Sequence, residues 1–401
     1  MKGQDMSLLL FICFLWADKV RSFAASALYR LLQISPQSAD YLIDAVGVVL
    51  FVGCVRSFSK VKGRDIFLYI FLAMLYLASF AFFPDRGEVL TDHLYFFLTG
   101  MLFYFVGLVT EPSKVFKAIN DVSVLNLLMA AYFIFFYAQS ASYQGEVDVE
   151  SYNMYEAYKV LPSAAMVIAY SVLHLDRKSI ASVSGVFQLA VSLVAVLLII
   201  SYGTRGPLVC LFFCLLLCLL YRQGKTGITR GKAIMLAAFV ILVIFIRPIL
   251  SLMSDITVAL GVSNRIFLSI LDIDELYIED FSNGREEIWG TLMQVMRTDD
   301  LRNLFGHGFC ASWEYVGMYP HNLVVDLLFT FGYVFGGLVL VGLAALLYKT
   351  YRNITDRETL FFFFVLLTCG VVKLLLSSTF IQESMIYWLI GFCVSVNRQS
   401  L

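Results

Sequence analysis

Twelve long apolar runs succeed one another along this chain and constrain it more than any single motif. They cover about 6–33, 41–56, 66–83, 93–109, 122–138, 158–174, 184–203, 206–221, 232–250, 322–348, 359–378 and 383–397. Apart from the first, each is about 15 to 27 residues long, which suits a membrane-crossing helix once tilt and flanking residues are counted. The chain is 60% hydrophobic, only 15% charged, and has a mean hydropathy of +0.81, well above the range of soluble domains. The expectation is an all-α, polytopic membrane protein with about 12 transmembrane helices, forming a single transmembrane domain over 1–401. Residues 251–321 are a large, partly helical loop within it.

The net charge of −1 hides a segregation that sets orientation. Even-numbered runs exit into basic loops: Arg56, Lys60, Lys62 and Arg64 after the second, then Lys114 and Lys117, Arg177 and Lys178, Arg222, Lys225, Arg230 and Lys232, and Lys349, Arg352 and Arg357. Odd-numbered runs exit into acidic loops: Asp85, Glu88 and Asp92, then Glu146, Asp148, Glu150 and Glu156, then 251–321, with eleven acids, four arginines and no lysine. Positive loops stay cytoplasmic, so both termini are expected inside and the long loop outside. The first run is interrupted by Asp18, Lys19 and Arg21. It reads either as a kinked span with a local Asp–Arg pair or as a short hydrophobic piece followed by an interfacial helix. It lacks a small-residue cleavage site, so no cleavable signal peptide is expected. No internal repeat stands out.

Seven of the eight cysteines lie in apolar runs, and Cys210, Cys214 and Cys218 repeat on one helix face, a pattern of small-residue packing. No disulfide framework and no metal site is expected.

Inside the long loop, Ile288, Leu292 and Val295 stand at helical spacing, with Trp289, Met293 and Met296 alongside. Ser282-Asn283-Gly284 reads as their helix start. The segment is expected to be an amphipathic helix on the membrane, or else a small soluble lid. Further on, Lys373 and Glu383 are expected to pair near the outer end of the last two runs.

Three polar sites fall at the outer face. In Tyr202-Gly203-Thr204-Arg205-Gly206-Pro207, Thr204 can cap the eighth run and Pro207 can sit in its first turn. Arg205 then lies at a helix N-terminus, where anions bind; the alternative is a snorkelling anchor. Asn283-Gly284-Arg285 repeats the pattern, with an ion pair to Glu286 or Glu287 as its alternative. In Tyr319-Pro320-His321-Asn322, Pro320 suits a first helical turn and His321 can act as a general base; the alternative is a histidine that caps its own helix. Arginines bind pyrophosphate oxygens bidentately and a histidine deprotonates a hydroxyl. Together they suggest transfer between a lipid pyrophosphate and an alcohol at the outer membrane surface, without metal.

These residues resemble a family. Thr204-Arg205-Gly206, Asn283-Gly284-Arg285 with Trp289, Leu304-Phe305-Gly306-His307-Gly308, and His321-Asn322 with Gly332 together resemble the O-antigen polymerase (Wzy-type) family within the O-antigen ligase/polymerase superfamily. The likeness covers roughly 200–340. The stretch Tyr152-Asn153-Met154-Tyr155-Glu156-Ala157-Tyr158 looks more like polymerases than ligases. Thr330 stands where members often carry an acid, and His307 occupies the turn between two glycines. The resemblance implies a GT-C-like, metal-independent glycosyltransferase with no cofactor, in a bacterial inner membrane. It would polymerise undecaprenyl-pyrophosphate-linked oligosaccharide repeats at the periplasmic face. Arg205 and Arg285 would hold the donor pyrophosphate, His321 would activate the acceptor hydroxyl, and Asn322 would orient it. The implied partners are lipid-linked glycan donor and acceptor, membrane lipid and a chain-length regulator protein, with no nucleic acid. An O-antigen ligase, transferring glycan to the lipid A core, would use the same residues. A secondary transporter is the reading from another class; it would normally show repeats and midplane ionisable residues.

Overall fold

The computed structural model describes residues 3–134, 149–174, 182–202, 204–222, 255, 285–298 and 300–399. Every regular element among them is a helix. In chain order these are α1 (Gly3–Trp16), α2 (Asp18–Leu32), α3 (Pro36–Cys54), α4 (Gly63–Phe82), α5 (Gly87–Val109), α6 (Pro112–Tyr132), α7 (Val149–His174) and α8 (Val183–Ser201). There follow α9 (Arg205–Tyr221), α10 (Arg285–Thr298), α11 (Asp300–Phe305), α12 (Ala311–Val316), α13 (Leu323–Asn353), α14 (Arg357–Leu367), α15 (Lys373–Leu376) and α16 (Ser384–Gln399). Each expected apolar run overlaps one or two of these helices except 232–250, which lies outside the described residues. Seven helical stretches among the described residues are long and apolar enough to cross a membrane. The chain is therefore an α-helical membrane protein. Helix α7 carries Glu150, Glu156 and Lys159 in its first half, and α16 has only 16 residues.

The contacts divide into two compact units. The first comprises Met1–Ser57, Glu111–Asp272 and Asp356–Thr368. Here the first apolar run is two helices, broken at Ala17, and the local Asp18–Arg21 pair forms at 3.4 Å. A break in a buried helix leaves backbone groups without partners. The side chain of Asn126 on α6 takes two of them: its Nδ2 donates to the Trp16 carbonyl at 2.6 Å and its Oδ1 accepts from Val20 N–H at 3.2 Å. The break also turns Lys19 inward, where it pairs with Glu156 of α7. In α9, Cys210, Cys214 and Cys218 are buried, and Cys214 lies 3.9 Å from the Ala165 carbonyl of α7. The stripe is a packing face.

The second unit comprises Phe58–Thr110, Ile273–Thr355 and Cys369–Leu401. Helices α5 and α16 cross closely through a pair of glycines: a Cβ on Gly107 would fall 2.3 Å from the Trp388 carbonyl, and one on Gly391 2.0 Å from that of Tyr104. Small residues permit such backbone approach in membrane helices. The start of α4 is tied to the end of α16 by Asp65, which is 3% exposed. It accepts from Arg398 at 2.9 and 2.5 Å and from the Tyr104 hydroxyl at 3.0 Å.

Helix α13 is broken too. Gly332 has φ 75° and ψ 174°, a conformation open essentially to glycine alone. The break leaves a half-helix, Leu323–Phe331, and a stretch from 333 to 353 long enough by itself to cross about 30 Å. The carbonyls of Phe329 and Thr330 lose their helical partners. They accept instead from His307 N–H at 2.9 Å and Gly308 N–H at 3.0 Å. Gly306, at φ 101°, sits so close that a Cβ would meet the Thr330 carbonyl at 2.2 Å. The Gly306-His307-Gly308 turn and Gly332, twenty-odd residues apart, are one structural device.

Helix α10 is described from Arg285 onward; the Ser282-Asn283-Gly284 start expected for it lies outside the described residues. Its apolar stripe packs against protein. Leu292 and Met296 are buried with Ala311 of α12 and Val325 and Phe329 of the half-helix, and Ile288, Trp289, Met293 and Val295 pack around them.

Candidate functional site around His321

The half-helix of α13 has a specific start. Asn322 is its N-cap, with Oδ1 accepting from Val324 N–H at 2.9 Å and Val325 N–H at 3.3 Å. Such a cap satisfies two of the four N–H groups that every helix start leaves open. The Nδ2 group of Asn322 donates to the Leu375 carbonyl at 3.4 Å. The asparagine expected to orient an acceptor thus holds its own helix. Pro320 falls two residues before this cap, outside the first turn where the sequence placed it. Its carbonyl accepts from the Trp289 indole at 2.7 Å. Between them His321 adopts φ 56°, a left-handed conformation uncommon for a side-chain-bearing residue.

That conformation seats the His321 ring against Tyr319, with centroids 4.4 Å apart. The imidazole is partly buried, and its Nδ1 has no hydrogen-bond partner among the described residues. Burial and the nearby positive charge of Arg285 pull its pKa down to about 4. The ring is neutral at physiological pH, the state in which it can accept a proton.

Arg285 enters from the start of α10. Its Nη1 donates to the Leu376 carbonyl at 2.6 Å, and no acidic side chain among the described residues closes an ion pair with it, Glu286 and Glu287 included. Leu375 and Leu376 belong to α15. The first residue of that helix, Lys373, pairs with Glu383 as the sequence predicts. Burial raises the Tyr319 hydroxyl pKa, while the charges of Lys373 and Arg285 pull it partway back, so both cations lie in its field. One turn below the cap, Asp326 is buried and accepts from the Thr379 hydroxyl at 2.6 Å. This bond fixes the half-helix to the segment that follows α15.

Arg285, His321 and Asn322 are therefore brought together within the second unit. Arg205 belongs to the first unit, where it opens α9. Thr204 occupies the N-cap position there but makes no capping bond, and its hydroxyl oxygen is buried without a partner. Pro207 is buried in the first turn, as expected. Gly206 admits the Tyr158 hydroxyl of α7, which a Cβ would meet at 2.0 Å. The glycine of the Thr-Arg-Gly motif makes room for a tyrosine from the Tyr-Met-rich stretch.

Sequence reasoning missed the two carbonyls of α15 and the contacts of Tyr319 and Asp326. A backbone carbonyl carries no side-chain signature. Tyr319 stood in full view beside His321, but its meaning depends on the left-handed turn between them. The chain matches no protein-family model, no curated protein and no solved structure.

Proposed function

We infer that this chain is a membrane glycosyltransferase that polymerises lipid-pyrophosphate-linked oligosaccharide repeats at the outer face of the membrane. The observation that carries the reading is the neutral His321 imidazole beside Arg285: among the described residues, no partner meets the His321 Nδ1 and no carboxylate pairs with Arg285. An arginine held by one carbonyl keeps most of its five donors for a ligand, and a pyrophosphate is the ligand its planar fork fits. In the reaction, the acceptor hydroxyl attacks the anomeric carbon of the donor glycan. The bond from that carbon to the pyrophosphate oxygen breaks, and the polyprenyl pyrophosphate leaves. The hydroxyl proton passes to His321. Arg285 stabilises the charge that develops on the leaving group. The sequence motif assigns Arg205 the same partner. Asn322 positions His321 by capping the helix that follows it.

Acceptor identity separates the two forms of this reading. A polymerase extends a second lipid-linked repeat; a ligase delivers glycan to lipid A core. The Tyr152–Tyr158 stretch favours the polymerase. The glycan made by a deletion strain tests it. A single repeat on the core is the expected outcome. A bare core with lipid-linked polymer accumulating would make the chain a ligase, and an unchanged surface glycan would remove both.

A further inference from the structure

Three rings run in sequence away from the His321 imidazole. Tyr319 lies 4.4 Å from it, Trp313 of α12 lies 6.4 Å from Tyr319 at 61°, and His93 of α5 lies 5.5 Å from Trp313. These spacings fall within the range of interacting aromatic pairs. His93 is 6% exposed, whereas Trp313 and Tyr319 are only partly buried. The inner end of the row is anchored and its middle is open. The anchor is itself held: His93 Nδ1 lies 2.8 Å from the Val89 carbonyl, and α12 is fixed by Glu314, which pairs with buried Arg86 at 2.6 Å. The two cations act on the same tyrosine, for Lys373 and Arg285 both lie in its field. The site is therefore polar in one direction and aromatic in the other.

We propose that Trp313 and Tyr319 form a sugar-binding subsite, on which a pyranose ring of the glycan lies as it leads to His321. A pyranose presents one face of axial C–H groups, which packs on an aromatic face and carries their partial positive charge onto its negative quadrupole. Its hydroxyls remain at the rim of the two rings. The identity of the ligand as a glycan rests on the glycosyltransferase reading; the geometry of the rings does not. An interfacial aromatic belt would also use tryptophan and tyrosine, but it would have no reason to distinguish an oligosaccharide.

The test uses the purified full chain in detergent. The probe is the lipid-free repeat-unit oligosaccharide, released by mild acid from the host's own lipid-linked repeat. Isothermal titration is expected to show about tenfold weaker binding for Trp313→Ala and for Tyr319→Ala, and a loss of threefold or less for Trp313→Phe and Tyr319→Phe. A tenfold loss corresponds to about 1.4 kcal/mol. The phenylalanine variants also cover the case in which an alanine variant does not fold. The oligosaccharide should change the tryptophan emission of the wild-type chain, and Trp313→Phe should lose most of that change while still binding. No binding by the wild-type chain, undiminished binding by a folded alanine variant, or a full emission change without Trp313 would overturn the subsite. Turnover of lipid-linked repeats is measured separately. Wild-type binding without turnover keeps the subsite and removes the transferase; turnover with an unchanged KM in both alanine variants does the reverse.

Discussion

Each unit contains a broken helix, and the two breaks are mended by different means. At Ala17 the mending group is one side chain, the amide of Asn126, which reaches both loose ends. At Gly332 it is backbone: two successive N–H groups of a glycine-flanked turn. The charges that gather at the two places differ as well. Around the first break Asp18, Lys19, Arg21 and Glu156 pair with one another. At the head of the second broken helix, Arg285 donates to a carbonyl and has no acidic partner among the described residues, and His321 Nδ1 has no hydrogen-bond partner among them. The first set pairs within itself, although Asp18 Oδ2 and Arg21 Nε have no hydrogen-bond partner among the described residues. In the proposed reaction the second receives an anion and the proton of a hydroxyl. A broken helix is thus not by itself a sign of function; what separates the two is whether, among the described residues, carboxylates pair with the cations around it.

The largest effect should come from the backbone-mended break. Gly332→Ala would place a Cβ 2.4 Å from Gly306 N in a conformation that alanine does not adopt. A loss of about 4 kcal/mol or more is expected, from backbone strain and overpacking together, seen as a collapse of the thermal unfolding midpoint in detergent. An alanine variant as stable as the wild type would show that the turn and the break are not one device.

The side-chain-mended break should be more forgiving. Asn126→Ala leaves the Trp16 carbonyl and Val20 N–H without their partner, and about 2 kcal/mol is expected from unmade hydrogen bonds. Activity should survive in proportion to folded protein, because nothing at Asn126 belongs to the candidate site. A folded Asn126→Ala chain with no transfer activity would place chemistry at the wrong break.

Much of the architecture can be read from the residues because hydrophobic length is a local property. The helix over Arg285–Thr298, the packing role of the α9 cysteines and the Lys373–Glu383 pair follow from spacing alone. The mending of the breaks does not. Asn126 is one polar residue in an apolar run, and the two groups it serves at the break, on Trp16 and Val20, are more than a hundred positions away. The Gly306–Gly308 turn and Gly332 are visible as glycines, yet nothing in the sequence says they meet. The direction of the α10 stripe was likewise hidden: an apolar face is equally suited to lipid and to protein, and only the positions of Ala311, Val325 and Phe329 decide it.

A smaller effect sharpens the contrast in electrostatics. The chain has only four histidines, so ring-labelled NMR can follow each one. His321 should titrate near 4, and Arg285→Gln should move it upward, towards the ordinary 6.5. Between those values the unfolded chain binds the extra proton and the folded chain does not, so stability at this position falls as pH falls through that window. Titration at 6.5 in both proteins would mean that neither burial nor Arg285 acts on the ring.

The most direct test of the central claim is a transfer assay on purified full-length chain with lipid-linked repeat units as both donor and acceptor. The wild type should release polyprenyl pyrophosphate and lengthen the glycan, one molecule of leaving group for each repeat added. Folded His321→Ala should lower the rate by a factor of about 10² or more, the contribution of a positioned base. Arg285→Lys should fall strongly too, because a point charge does not replace the planar fork. Normal polymer from a folded His321→Ala chain would contradict the account.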